Sequence, residues 1–168
     1  MNAASGTMIV LDAGPSRFQL RAGAIIRSNA HILIHRATHD PFWALPGGRV
    51  EFHESSSQTL AREIQEEIGC SASVGPLRFI IENFFELAGR KYHEVGLYYE
   101  AELTEPFPFH ETEIVHRSQD GSASLEFRWV LPQKAVLDAF DFKPASIRTM
   151  LDGTAGVAHI VHRDGAAG

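Results

Sequence analysis

The sequence predicts an α+β domain around a mixed or mainly antiparallel sheet, and three observations predict it. The stretch Ser55 to Gly69 has helical periodicity with a start and a stop signal. Long runs such as "LRFIIENFFEL" and "YHEVGLYYEAEL" are rich in β-branched and aromatic residues. The two kinds of segment do not alternate as a parallel βαβ array would require. At 168 residues the chain suits one domain. Its core is expected at about residues 17–162, between flexible termini.

Taken in order, the first fifteen or so residues are small and weakly patterned, and the final "RDGAAG" reads as a frayed tail, so both ends are expected to be dispensable. "RFQLRAGAIIRSN" and "HILIHRAT" read as two strands of a hairpin turning at Ser28-Asn29. "FWALPGGRVEF" runs into Pro46-Gly47-Gly48, where the glycines permit a tight turn or a close backbone approach. Ser55 and Gln58 have capping-box spacing, Leu60, Ala61, Ile64 and Ile68 follow at helical spacing, and Gly69 ends the helix. "LRFIIENFFEL" and "YHEVGLYYEAEL", joined by "AGRK", predict a long hairpin of central strands. "TEPFPFHETEIVHRSQDGS" is polar and predicts a functional or mobile loop. "LEFRWVL" predicts a strand, "QKAVLDAF" and "PASIRTML" two short helices, and "VAHIVHR" a last strand.

Fifteen Lys and Arg against 21 Asp and Glu give a net charge of −6, which argues against general nucleic-acid or anionic-membrane binding because phosphates are repelled on approach. The single cysteine, Cys70, cannot form an internal disulfide, so a reduced, cytoplasmic setting is expected. No stretch reaches the roughly 20 apolar residues of a membrane span.

The stretch "REIQEEIGC" carries the chemistry. At about 100° per residue, Leu60, Ala61, Ile64 and Ile68 form an apolar stripe, while Glu63, Glu66 and Glu67 share an arc of about 100° on its flank. The same wheel sends Arg62 to the far side of the helix. Glu67 falls only about 20° from Leu60, so part of the acid cluster is expected to be shielded from water. Like charges at i,i+4 cost roughly 0.2–0.5 kcal/mol, and acids in the last helical turn oppose its dipole by ~0.3–1 kcal/mol. Hard oxygens on one face suit Mg²⁺ or Mn²⁺. Such a run by itself is more often solvent-exposed decoration. Its flanks decide.

Gly48 is followed after five residues by Glu54, then after seven by Arg62-Glu63-Ile64-Gln65-Glu66-Glu67-Ile68-Gly69-Cys70. This pattern resembles, position for position, the signature box of the Nudix hydrolases, and its seven fixed letters would coincide by chance on the order of 10⁻⁹ times per starting position. The resemblance implies an α/β/α sandwich with a central mixed sheet. It also implies hydrolysis of a diphosphate linkage in a small molecule, usually a nucleoside diphosphate derivative. The carbonyl of Gly48 and the carboxylates of Glu63, Glu66 and Glu67 would hold Mg²⁺ or Mn²⁺. Glu66 and Glu67 form the catalytic set with Arg62 and Glu54, which read as orienting residues holding loop and helix in register.

In the family the general base comes from the box or from a loop outside it, so Glu67 shares candidacy with Glu111, Glu113, Asp120 and Glu126. Trp43 and Trp129, along with Phe84, Phe85, Tyr98 and Tyr99, could stack on a base, although aromatics in strands are usually core. The nine histidines lack zinc-site spacing, and Cys70 fills an apolar position of the box. A non-hydrolytic ligand-binding or regulatory module on the same fold is the alternative, against which the box is intact. The substrate among triphosphates, sugar nucleotides and dinucleotides stays open, as does a homodimer.

Overall fold

The computed structural model describes residues 6–153 and 156–165. Its strands are β1 (Val10–Ala13), β2 (Ser16–Ser28), β3 (His31–Ala37), β4 (Gly47–Arg49), β5 (Ala72–Leu87), β6 (Arg90–Leu103), β7 (Ile114–Asp120), β8 (Ala123–Val130) and β9 (Ala158–Arg163). Helix α1 (Ser56–Ile68) follows β4, and the short α2 (Lys134–Ala139) follows β8. The main path of the sheet runs β7-β8-β3-β2-β6-β5-β9, with β1 and β4 paired to β2 beside it. β2 with β6 and β5 with β9 are parallel, and the other pairs are antiparallel, so the sheet is mixed.

β2 is the member that organises the rest. It pairs with β3 only at Arg27–Ile32 and Ser28–His31, beside a turn in which Asn29 and Ala30 take positive φ. From Arg21 to Gly23 its edge belongs instead to β4, while β3 runs on against β8. The sheet therefore splits between β2 and β3, and the split becomes a cavity.

Each face of the sheet has its own core. On one face α1 buries Leu60, Ile64 and Ile68 against Ala22, Ala24, Ile26 and Leu33. Burying each of these large aliphatic side chains contributes roughly 1.5–3 kcal/mol. On the other face Leu137 of α2 packs with Phe142, Ile147 and Leu151 onto Ile25, Ile34, Phe79 and Ile81. The predicted sandwich is present, with a full helix on one face and a thin covering on the other. α1 starts where expected: the Ser55 side chain accepts from the Gln58 amide while Gln58 caps the Ser55 amide, and Gly69 closes the helix in the left-handed conformation.

Several expectations are corrected. Within the stretch expected to be weakly patterned, Val10–Ala13 form β1, which adds to β2 over four residue pairs, and residues 1–5 lie outside the described residues. Part of the predicted loop after β6 is strand β7, paired with β8 from Ile114 to Asp120. The remainder is pinned: Trp129 Nε1 donates to the Pro108 carbonyl at 2.8 Å, and Phe107 and Phe109 pack on the Trp129 ring. "PASIRTML" yields only a single 3₁₀ turn, Ala145–Ile147, because Pro144 sits at its start and Ile147 and Leu151 are spent on core packing. Of the predicted C-terminal tail, Arg163 ends β9 and the Asp164 amide bonds the Phe84 carbonyl at 2.9 Å. Residues 166–168 lie outside the described residues.

Candidate active site

Gly47 and Gly48 bring backbone close to the helix. β4 lies against β2 with Gly47 opposite Gly23 and Gly48 opposite Ala22. Gly47 has φ of 151°, and a Cβ there would stand 2.1 Å from the Ala22 carbonyl oxygen. At Gly48 a Cβ would stand 2.2 Å from Oε1 of Glu63. Gly47 admits no side chain, and the absence of one at 48 lets the Glu63 carboxylate press on the β4 backbone.

Glu63 and Glu67, one turn apart, are 8% and 6% exposed, whereas Glu66 stands at the surface. Two carboxylates so placed repel each other in a medium that solvates neither. Burial first, and the Glu67 charge second, push the Glu63 carboxyl up to about 7, against the opposing pull of Arg62.

Arg62 does not lie away from the acids as the wheel suggested. Its Nε and Nη2 donate to the two oxygens of Glu54 at 2.9 and 3.1 Å, and its Nη1 donates to Glu63 at 3.0 Å and to Glu66 at 3.2 Å. Helical side chains lean toward the N-terminus, and the guanidinium follows the surrounding negative charge rather than its wheel position. The hydrogen bond from Arg62, with one from Thr59 at 2.8 Å, holds the Glu54 carboxyl below its ordinary range. The same bond to Glu54, with the charges around it, raises the Arg62 pKa. Glu54 and Arg62 thus join the loop after β4 to α1.

The far end of the helix is held from β3 and β7. His116 Nε2 donates to the Glu67 carbonyl at 2.9 Å. His35 Nδ1 lies 3.6 Å from Glu67 Oε2, too long for a hydrogen bond, and is a buried nitrogen without a partner among the described residues.

Gly47, Gly48, Arg62, Glu63, Glu66, Glu67 and His35 face a cavity of about 950 Å³ in the split between β2 and β3. Its wall carries Arg21, Arg36 and Arg49 as well as the acids. Arg21 Nη2 reaches the carbonyls of Gly47 and Leu45 at 3.3 and 3.4 Å. Burial works against its charge, but Glu94, Tyr98, Glu67 and Glu63 together hold its pKa above the ordinary value. A cavity with acids on one wall and guanidinium groups on another suits a polyphosphate bridged to cations.

The downstream acids divide. Asp120, at the end of β7, lines the cavity. Glu126 is held by Arg36 at 3.2 Å and Arg117 at 3.5 Å. Glu111 and Glu113 are exposed on the segment before β7, outside the cavity. Trp43 and Trp129 are 5% and 2% exposed and belong to the two cores; the Arg36 guanidinium covers the Trp43 ring at 4.8 Å. Neither indole offers a base a free face, because each is spent on packing. Phe85 does line the cavity, stacked on Tyr92 with ring centroids 4.8 Å apart. Sequence reasoning missed Gln19, Arg21, Asn83 and Glu94, all of which line the cavity. Their signal was a break in period: after Phe79 and Ile81, the next inward position of β5 is Asn83.

Among the described residues no three His, Cys, Asp or Glu side chains converge on one point. The Arg62 guanidinium stands between Glu63 and Glu66 and takes the place of a cation there. The donor set nonetheless fits a hard divalent ion: three carboxylates and a backbone carbonyl, one carboxylate buried and resisting ionisation, packed where a Cβ would collide.

A family model described as "NUDIX domain" matches residues 17–151. A CTP pyrophosphohydrolase of Escherichia coli (strain K12) is 38% identical over 74 residues, which are 42% of this chain and 53% of that protein. Curated relatives of this kind are matched over only 29–53% of their own lengths. Among solved structures, an ADP-ribose pyrophosphatase from Streptococcus suis aligns at TM-score 0.57 and 15% identity, covering 86% of this chain and 98% of that one. A NUDIX hydrolase from Nitrosomonas europaea aligns at TM-score 0.54 and 17% identity over 98% of both chains. At these identities the structural likeness concerns the fold.

Proposed function

This chain belongs to the Nudix family, and from that premise we propose that it is a Mg²⁺- or Mn²⁺-dependent pyrophosphohydrolase of the cytoplasm, cleaving a phosphoanhydride in a nucleoside diphosphate derivative. The observation that carries this reading is the buried pair Glu63 and Glu67 against the Gly48 backbone, facing a cavity rich in guanidinium groups.

The Gly48 carbonyl, Glu63, Glu66 and Glu67 would hold the ions. Bound divalent ions supply neutralisation of phosphoryl oxygens and acidification of water. The chain's own groups do the rest. Arg62 and Glu54 fix the helix against the loop, so the carboxylates keep their spacing. Arg21 and Arg36 pair with phosphate oxygens as charge develops on the leaving group. Glu67, steadied by His116 at its carbonyl, is the acceptor for the proton of the attacking water, with Asp120 the downstream acid that shares the cavity.

The test is a hydrolysis panel of nucleoside triphosphates, sugar nucleotides and dinucleotides with Mg²⁺ or Mn²⁺, run beside Glu67→Gln and scored by product identity. The variant is expected to lose at least ~10²-fold in kcat with its fold intact, the usual scale for a lost general base. Full activity in Glu67→Gln, or a panel without products for the wild-type protein, overturns the reading. A homodimer is part of the proposal only as a state that sedimentation on the same sample decides.

A further inference from the structure

Glu54, Glu63 and Glu66 each accept a hydrogen bond from Arg62, and Thr59 adds a second donor to Glu54. The buried Glu67 differs: among the described residues no side chain donates to its carboxylate, and His116 reaches only its carbonyl. The nearest free donor comes from β3. Leu33 and Ala37 pack into the core beneath α1, and the residue between them on the same face of the strand is His35, so a histidine interrupts an apolar row. Its backbone N–H and carbonyl are both spent on Ala44, at 2.9 Å each, and its ring lies against Phe127, the residue opposite on β8, with centroids 5.4 Å apart. His35 is 8% exposed, and its Nδ1 has no partner among the described residues. A leucine here would bury without leaving a polar atom unmatched, so the imidazole costs stability that packing does not return. Nδ1 is 3.6 Å from Glu67 Oε2, and a shift of about half an ångström by the carboxylate would close a hydrogen bond.

We propose that His35 is a positioning residue for Glu67: its Nδ1–H donates to Oε2, fixes the plane of the carboxylate, and leaves Oε1 free for a divalent ion or the attacking water. The proposal rests on the reading of Glu67 as ion ligand and proton acceptor, and it adds the group that orients that side chain. The hydrogen must sit on Nδ1, because a bare ring nitrogen would set its lone pair against a carboxylate oxygen. Phe127 stands between two imidazoles, 5.4 Å from His35 and 5.5 Å from His116, so β3 and β7 hold residue 67 from two sides. The two histidines have different duties. His116 satisfies one of the last carbonyls of α1, which a helix end requires for its own sake. No helix end or turn needs the His35 ring; the charged side chain beside it does. Carboxylates that ligate metals are themselves held by outer hydrogen bonds, whose loss typically costs about 10–100-fold in metal affinity.

The test reads the contact without turnover, and then the metal. The full chain, labelled with nitrogen-15 and held in chelator at pH 8, is studied by two-dimensional NMR that correlates the ring nitrogens with the carbon-bound ring protons; the His35 signals are those lost in His35→Asn. Nδ1 of His35 is expected to carry a hydrogen in the wild-type protein. Mn²⁺ alone is then titrated calorimetrically. His35→Leu is expected to bind it at least ~10-fold more weakly than wild type, the usual loss when a ligand's outer hydrogen bond goes. His35→Asn places a carboxamide nitrogen near the position of Nδ1 and is expected to stay within about threefold of wild type, with melting curves verifying that each variant is folded. A bare Nδ1 overturns the proposal, as does an absence of Mn²⁺ uptake by the wild type or an unchanged Mn²⁺ affinity in His35→Leu. Equal weakening in His35→Leu and His35→Asn also overturns it, because packing alone would then explain both. Failure of the hydrolase reading shows separately: a Mn²⁺ affinity that depends on His35, beside a hydrolysis panel without products, would leave this role standing and remove the enzyme. Turnover by a protein whose Nδ1 is bare would do the opposite.

Discussion

The substitution Glu63→Gln should make the metal-free protein more stable, by an amount that grows as pH rises from about 4.5 to 7. The Glu63 carboxyl titrates at about 7 in the folded chain against 4.5 when solvated. The folded state therefore binds more protons than the unfolded state between these values. Stability falls as pH rises from about 4.5 through 7 and is then level, because above 7 the fold must carry a buried charge it disfavours. At about 1.4 kcal/mol per tenfold in proton affinity the full penalty is roughly 3 kcal/mol. The carboxamide introduced by Glu63→Gln keeps an oxygen for Arg62 but loses the stronger charged hydrogen bond, so the net gain at pH 8 is about 1–3 kcal/mol. For a chain of this size that is a rise in Tm of roughly 2–10 °C. Thermal unfolding of both proteins in chelator, from pH 4 to 8.5, measures it, and the difference between them cancels the titrating groups that do not interact with Glu63. The curves should meet near pH 4.5, separate between about 4.5 and 7, and run parallel above that. Adding Mg²⁺ at pH 8 should stabilise the wild type more than the variant. Parallel curves across the range, or a variant less stable at pH 8, would refute the account of why these acids sit together.

Two further predictions concern the frame around the acids. Arg62→Lys keeps a positive charge but cannot span both oxygens of Glu54, so urea unfolding of the metal-free variant should show a loss of about 1–2 kcal/mol, and turnover should fall with it. Gly47→Ala forces a Cβ onto the Ala22 carbonyl at a φ of 151°, and its unfolding free energy should drop by about 1–3 kcal/mol or more. A Gly47→Ala protein as stable as wild type would mean that β4 can shift away from β2 without cost.

Local signals made α1 legible in the sequence: a capping box, a stripe, and a glycine stop all lie within fifteen consecutive residues. The glutamates were legible for the same reason, since their spacing is set within the helix. The course of Arg62 was not, because a long side chain chooses partners such as Glu54 that a wheel does not display. β7 was hidden because its pairing is with β8, and "EIVHRSQD" has too many polar residues for its own propensity to declare a strand. The indoles of Trp43 and Trp129 read equally as stacking or packing groups until long-range contacts assigned them to the two cores. The polar row Gln19–Glu94–Asn83 on the cavity wall required the register of β2, β6 and β5, and Gln19 and Glu94 lie 75 positions apart, a separation no local window of sequence spans.

β2 binds β1, β3, β4 and β6 through thirteen residues, and with the His35–Ala44 bridge and the His116 bond to the Glu67 carbonyl it stitches both halves of the sheet together. Neither half can come apart while the other keeps its shape, and the binding cleft cannot loosen as a private event.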